Sequence, residues 1–177
     1  MMFEAYSTRA EHVLLVARLK AGERGAEVLG VDDLLAALIL EDQGMLRDAA
    51  AGLLGLGNEF RNLLEHDGCV VRPLRPHRSF LTSDNASRLL REIQDSLPRS
   101  QSVPSSMDMP ISPNLEHTLN AAQSLMERFQ TDKIEPLHLL AAALAEDSSA
   151  GARMFREAGI TQAKVLRIIT GERQPEA

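Results

Sequence analysis

The chain repeats itself. Read with a shift of 105 positions, Ser7, Glu11, His12, Leu14 and Ala17 fall on Ser112, Glu116, His117, Leu119 and Ala122. In the same register Leu34-Leu35-Ala36-Ala37 falls on Leu139-Leu140-Ala141-Ala142, and Glu41-Asp42 on Glu146-Asp147. Leucine and alanine coincide easily by chance, but Glu-His and Glu-Asp steps held in one register over 36 positions do not. Further on, after one residue is dropped, Leu54-Gly55-Leu56 aligns with Ala158-Gly159-Ile160. Any fold for this chain must therefore hold one unit twice, and each residue is read beside its twin.

Each copy reads as four helices. In the first, Ala10, Val13, Leu14, Ala17 and Ala21 form one stripe of an amphipathic helix, and Leu115, Thr118, Leu119, Ala122 and Met126 repeat it. Ser7 and Ser112 are natural N-caps, and Pro113 suits a first helical position. A second helix spans about 32–42, and its twin begins at Pro136; the nearly all-apolar run from Leu34 to Leu40 predicts burial on most sides. The third helix of the first copy ends at Leu54-Gly55-Leu56-Gly57, where glycine closes a helix in the left-handed conformation. Fourth helices are expected over 58–65 and 161–169, capped by Asn58 and Thr161. Aromatic residues make up 3% of the chain and Trp is absent, which favours helices over a β-sandwich.

The expected fold class is all-α: two tandem four-helix repeats in pseudo-twofold relation, forming one globular domain. Residues 1–66 form the first repeat and 112–171 the second, with a polar tail over 172–177. Residues 67–111 have no counterpart in either copy. Within them Arg72-Pro73-Leu74-Arg75-Pro76-His77-Arg78 is basic and proline-broken, hence extended. The spacing of Ala86, Leu89, Leu90, Ile93 and Leu97 predicts one extra helix over 83–97, starting at Ser83 or Asp84. The Ser/Pro-rich stretch 98–110 reads as a mobile linker.

Several chemistries are excluded by residue type. A phosphate-cradling loop needs glycines followed by Lys and Ser/Thr, yet Lys20, Lys133 and Lys164 neither follow Gly nor precede Ser/Thr. A Gly-x-Ser-x-Gly elbow is absent. One Cys removes a disulfide framework, and His66-Asp67-Gly68-Cys69 lacks the second half of a zinc site. Neither a cofactor nor a metal is expected, and no enzyme activity. No apolar run nears the roughly 20 residues that a bilayer demands, and the first residues lack the basic flank of a secretory signal. With a net charge of −6, the chain reads as cytoplasmic, with no nucleic acid and no membrane among its partners.

The pieces Met2-Phe3, Arg9-Ala10 with Val13-Leu14, Leu29-Gly30-Val31-Asp32-Asp33-Leu34-Leu35, and Leu54-Gly55-Leu56-Gly57-Asn58-Glu59 resemble the Clp N-terminal (Clp repeat) domain. That domain stands ahead of the ATPase modules in Hsp100/Clp unfoldases, and the likeness is to the ClpC type. The second copy carries Ile134-Glu135-Pro136-Leu137-His138-Leu139-Leu140 where the family has Ile-Gly-Thr-Glu-His-Leu-Leu. The resemblance covers both repeats, about two thirds of the chain. It implies a module that recruits substrate or adaptor proteins to a Clp-type unfoldase or protease, either free-standing or cut from a longer unfoldase. It also implies phosphoarginine on substrates as a ligand, received by the acid of the Thr-Glu-His piece. Asp32 takes that place in the first copy, whereas Leu137 in the second cannot pair with a guanidinium; the family histidine is Asp33 in one copy and His138 in the other.

The expected function is a non-enzymatic protein-binding module for protein quality control or regulated proteolysis. Its binding surface is expected in a groove between the repeats, steered by Asp32, Asp33, Glu41 and Asp42. Phe3 either tucks against the domain or touches the bound peptide. Asp32 either caps the second helix or faces a cationic ligand, and the two roles overlap. Arg72, Arg75 and Arg78 form either a solvated linker or a basic docking segment for an acidic partner. His138 is expected to be packed and bonded to backbone. The rival reading is a sensing or regulatory protein that binds a small molecule in the same groove.

Overall fold

The structure, a computed structural model, describes residues 4–46, 48–49, 80–103 and 107–171. The expected fourth helix of the first copy, its Leu54–Gly57 punctuation, Phe3 and the segment holding Arg72, Arg75 and Arg78 lie outside these residues. Seven helices are seen among the described residues: α1 (Thr8–Glu23), α2 (Val31–Asp42), α3 (Ser83–Ser96), α4 (Pro113–Arg128), α5 (Pro136–Leu144), α6 (Ala150–Glu157) and α7 (Gln162–Ile169). Leu46, Asp48 and Ala49 are also helical, at the place in the first copy where α6 lies in the second.

The caps expected at Ser7, Ser112 and Thr161 are in place. Ser7 Oγ accepts from Ala10 N at 3.2 Å and Ser112 Oγ from Leu115 N at 3.1 Å. Pro113 opens α4, and Thr161 caps α7 through Lys164 N. The stripes face inward: Ala10, Val13, Ala17 and Ala21 are buried in one copy, Leu115, Thr118 and Ala122 in the other. Both second helices run through the centre. Leu34 to Leu40 and Leu139 to Leu144 are all buried, as an apolar sequence without a polar face requires. Around them α1 lies on α2, α4 and α7 on α5, and α2 touches α5 directly.

The copies are interlocked by symmetric backbone bonds. Tyr6 bridges Ile134, and Ile111 bridges Leu29, each pair being the 105-shifted image of the other. Ser7 N donates to Ile134 O at 3.0 Å and Ile134 N to Ala5 O at 2.7 Å; Ser112 N donates to Leu29 O at 2.8 Å and Leu29 N to Pro110 O at 2.9 Å. Thus the chain just ahead of each first helix pairs with the chain just ahead of the other copy's second helix. Even a strained position recurs, because Gly25 (φ 80°) and its twin Gln130 (φ 53°) both take the left-handed conformation after the first helix.

Two details differ from expectation. The cap of α3 is Thr82, one residue earlier than the Ser83/Asp84 start, because Thr82 is still extended and its Oγ1 accepts from Asn85 N at 3.3 Å. The stretch read as a mobile linker is docked in its described parts. Ser100 N donates to Arg24 O at 2.7 Å and Val103 N to Gly22 O at 2.8 Å, while Ser102 Oγ donates to Glu23 O at 3.1 Å. Its amides and hydroxyl donate to carbonyls in the last turn of α1 and its cap. A Cβ on Gly25 would stand 2.4 Å from Gln101 O, so glycine is required both by the turn and by this contact. The extra helix is no appendage: α3 buries Ala86, Leu89 and Ile93 and packs on α2 and α6.

Candidate protein-binding site

A groove of about 830 Å³ opens where the C-terminal end of α2 meets the start of α5. Leu38 of α2 and Leu140 of α5 lie buried in it, and half-buried Leu137 and Phe80 complete an apolar floor beside Pro136. Arg9, Glu41, Asp42 and Glu135 form its polar part. Among the described residues its lining has no Ser, Thr, Cys, His or Lys, so hydroxyl, thiol, amine and imidazole groups are missing from that lining.

Two of its acids are already engaged. Arg9 donates from Nε to Glu41 Oε1 at 2.7 Å, with a second contact from its terminal nitrogen. Asp42 accepts from Phe80 N at 3.0 Å, Leu81 N at 3.4 Å and Gln43 Nε2 at 2.8 Å, and so anchors the chain at the approach to α3. Burial pushes its carboxyl above the ordinary range, against these hydrogen bonds, which pull it down.

Asp32 and Asp33 stand elsewhere, at the pseudo-twofold counterpart of the groove. That cavity, about 450 Å³, is lined by Asp32, Asp33, Arg24, Asn114 and the Ser148–Ser149 turn among others. Asp33 is 2% exposed and paired with Arg24 through Nε at 3.0 Å and a terminal nitrogen at 2.8 Å. It also accepts from Gly30 N at 3.0 Å, so Asp33 rather than Asp32 secures the start of α2. Its twin His138 does the same work with an imidazole: Nδ1 accepts from Glu135 N at 2.9 Å. His138 is buried, and burial lowers its pKa while Glu135 opposes the shift.

Asp32 reaches across to the other copy. Its Oδ1 accepts from Ser149 Oγ at 2.5 Å and from Gly151 N at 3.0 Å, at the first turn of α6, where open amides and the helix dipole favour a carboxylate. A Cβ on Gly151 would stand 2.8 Å from that oxygen, so glycine lets the copies approach. Glu41 and Asp42 are therefore brought together at the groove, while Asp32 and Asp33 are not. Leu38, Phe80, Glu135 and Pro136 were not anticipated there; a signal for the last two lay in their twins, Gly30 and Val31, which differ in kind.

Among the described residues no three His, Cys, Asp or Glu converge on a point that could hold a metal, and no helix is long and apolar enough to cross a membrane.

A model of the Clp repeat (R) N-terminal domain matches residues 82–158 and again 110–174. Together these span 82–174, more than half of the chain. No curated protein sequence matches. Among solved structures, the N-terminal domain of the caseinolytic protease associated chaperone ClpD from Arabidopsis thaliana superimposes with a TM-score of 0.60 at 20% identity, covering 97% of this chain and 96% of that one. A structure from an investigation of a malarial protein secretion system gives a TM-score of 0.62 at 16% identity, covering 95% of this chain and 94% of that one. Both likenesses run through the first copy as well, which the family model does not reach.

Proposed function

Because the chain belongs to the Clp repeat N-terminal domain family, we propose that it is a non-catalytic module that captures polypeptides for a Clp-type unfoldase or protease. Its ligand is a client or an adaptor segment, held in the groove between α2 and α5. The observation that carries this reading is the groove itself: about 830 Å³, apolar in its floor and carboxylate-bearing in its polar part. An extended peptide laid there buries side chains against half-buried Leu137 and Phe80 without any bond being made or broken. The area such a groove covers is small, so affinity is modest and suits repeated capture and release.

The test is photo-cross-linking. A benzophenone amino acid at Leu137, with the same group at exposed Ser87 on α3 as control, is activated in a lysate with a Clp protease blocked in hydrolysis. Polypeptides joined at 137 and not at 87 support the reading. Equal, sparse products at both positions refute it.

A further inference from the structure

Duplication gives this chain two matched cavities between its copies, and side chains have made them unlike. Glu135, Pro136 and Leu137 of the groove correspond, in the 105-residue register, to Gly30, Val31 and Asp32 of the smaller cavity, and Arg9 corresponds to Asn114. In the smaller cavity the carboxylate is spent on the chain itself, through Ser149 Oγ and Gly151 N. In the larger one the same position is leucine, and the space in front of it is nearly twice as large.

We infer that the groove at Leu137 receives an aliphatic side chain of an extended peptide that carries Lys or Arg beside it, while its twin at Asp32 has become a clamp between the copies. This rests on the peptide-capture reading and narrows its ligand. A guanidinium pressed against Leu137 would leave water and find no partner at that position. An aliphatic anchor meets half-buried Leu137 and Phe80 above the buried Leu38 and Leu140, and its burial is worth about tenfold or more in affinity. The mouth selects the neighbours. Among the described residues one cation, Arg9, stands with three carboxylates, Glu41, Asp42 and Glu135, on a chain of net charge −6. Arg9 is committed to Glu41, so it does not receive an anion, and a lysine or arginine next to the anchor finds Glu135 at the edge.

The experiment is fluorescence polarisation on the full chain with four labelled hexapeptides. The first has Leu flanked by arginines, the second Leu flanked by glutamates, the third Ser flanked by arginines, and the fourth phosphoarginine flanked by serines. The first is expected to bind at least tenfold more tightly than each of the others. Leu137→Ser should erase the advantage of the first peptide over the third while the circular dichroism spectrum stays native, and Asp32→Asn should change affinity by less than about twofold. Phosphoarginine binding as tight as the first peptide, or Asp32→Asn costing as much as Leu137→Ser, overturns the inference. Saturation by all four peptides alike keeps the capture reading and sinks this one; saturation by none removes the capture reading itself.

Discussion

Asp32→Ala separates a residue that holds the two copies together from one that holds a ligand. The substitution removes an acceptor from Ser149 Oγ and from Gly151 N. Hydrogen bonds to a charged acceptor are worth roughly 1.5–3 kcal/mol each when lost from a dry site. Asp32 is only half-buried, so water replaces part of what it supplied. Ser149 also keeps its other bond, accepting from Ala152 N at 3.0 Å, so α6 retains one cap. A net loss of about 2 kcal/mol follows, the upper part of the range for deleting a capping side chain. For a chain of this size that is about 4–8 °C in the melting midpoint. Urea unfolding followed at 222 nm gives the energy, and hydrogen exchange at Gly151 and Ala152 locates it. Asp32→Asn keeps an acceptor in place and should lose about half as much. Peptide affinity at the groove should be unchanged in both variants. A wild-type midpoint for Asp32→Ala, or an unfolding cost that leaves exchange at Gly151 untouched, would refute the clamp.

Three further outcomes are expected. Gly25→Ala forces a Cβ to 2.4 Å from Gln101 O at a φ of 80°, and should cost about 2 kcal/mol or more; tryptic cleavage after Arg99 should accelerate several-fold, and equal rates would mean that residues 98–103 are not held by α1. Gln130→Gly relieves the left-handed conformation at this exposed twin of Gly25, and calorimetry should show a gain of about 0.5–1 kcal/mol; a loss would mean that the side chain contributes more than the strain costs. His138 accepts through Nδ1 only while neutral, and its folded pKa lies below the ordinary 6.5. The unfolded chain therefore takes up the proton first: this contribution to stability is full above about pH 6.5 and declines as pH falls through the window down to the folded pKa. The urea midpoint should drop between pH 7.5 and 5.5, and His138→Asn, which caps without titrating, should flatten that drop.

The repeat, the caps at Ser7 and Ser112 and the burial of both second helices were legible in residue order, because each depends on spacing within one helix. The roles of Asp32 and Asp33 were not. Capping passes from the N-cap to a side chain three residues on, so it turns on where the helix begins. With Gly30 as N-cap, the carboxylate that returns to it is Asp33, and Asp32 is turned outward to the other copy. The 98–110 stretch misled for a different reason. Serine and proline describe how a segment behaves with nothing beside it, whereas the carbonyls at the end of α1 that hold it are a tertiary feature. The groove draws on Arg9, Leu38, Phe80 and Leu137, residues from four separate segments, and no local pattern joins them.

What the duplication fixes and what it leaves free explains how one backbone came to hold two unlike cavities. The four bonds linking residues 5–7 and 110–112 to Ile134 and Leu29 are all main chain to main chain, so substitutions in either copy leave them standing. The side chains just beyond them are under no such bond. Position 33/138 accepts from the same backbone amide with a carboxylate in one copy and an imidazole in the other, and the carboxylate alone requires Arg24, whose twin is Phe129. Position 32/137 has gone further, to a clamp in one copy and an apolar floor in the other. Specificity at the groove can therefore be altered without touching the bonds that set its walls, and a Leu137 variant is expected to change what binds before it changes whether the chain folds.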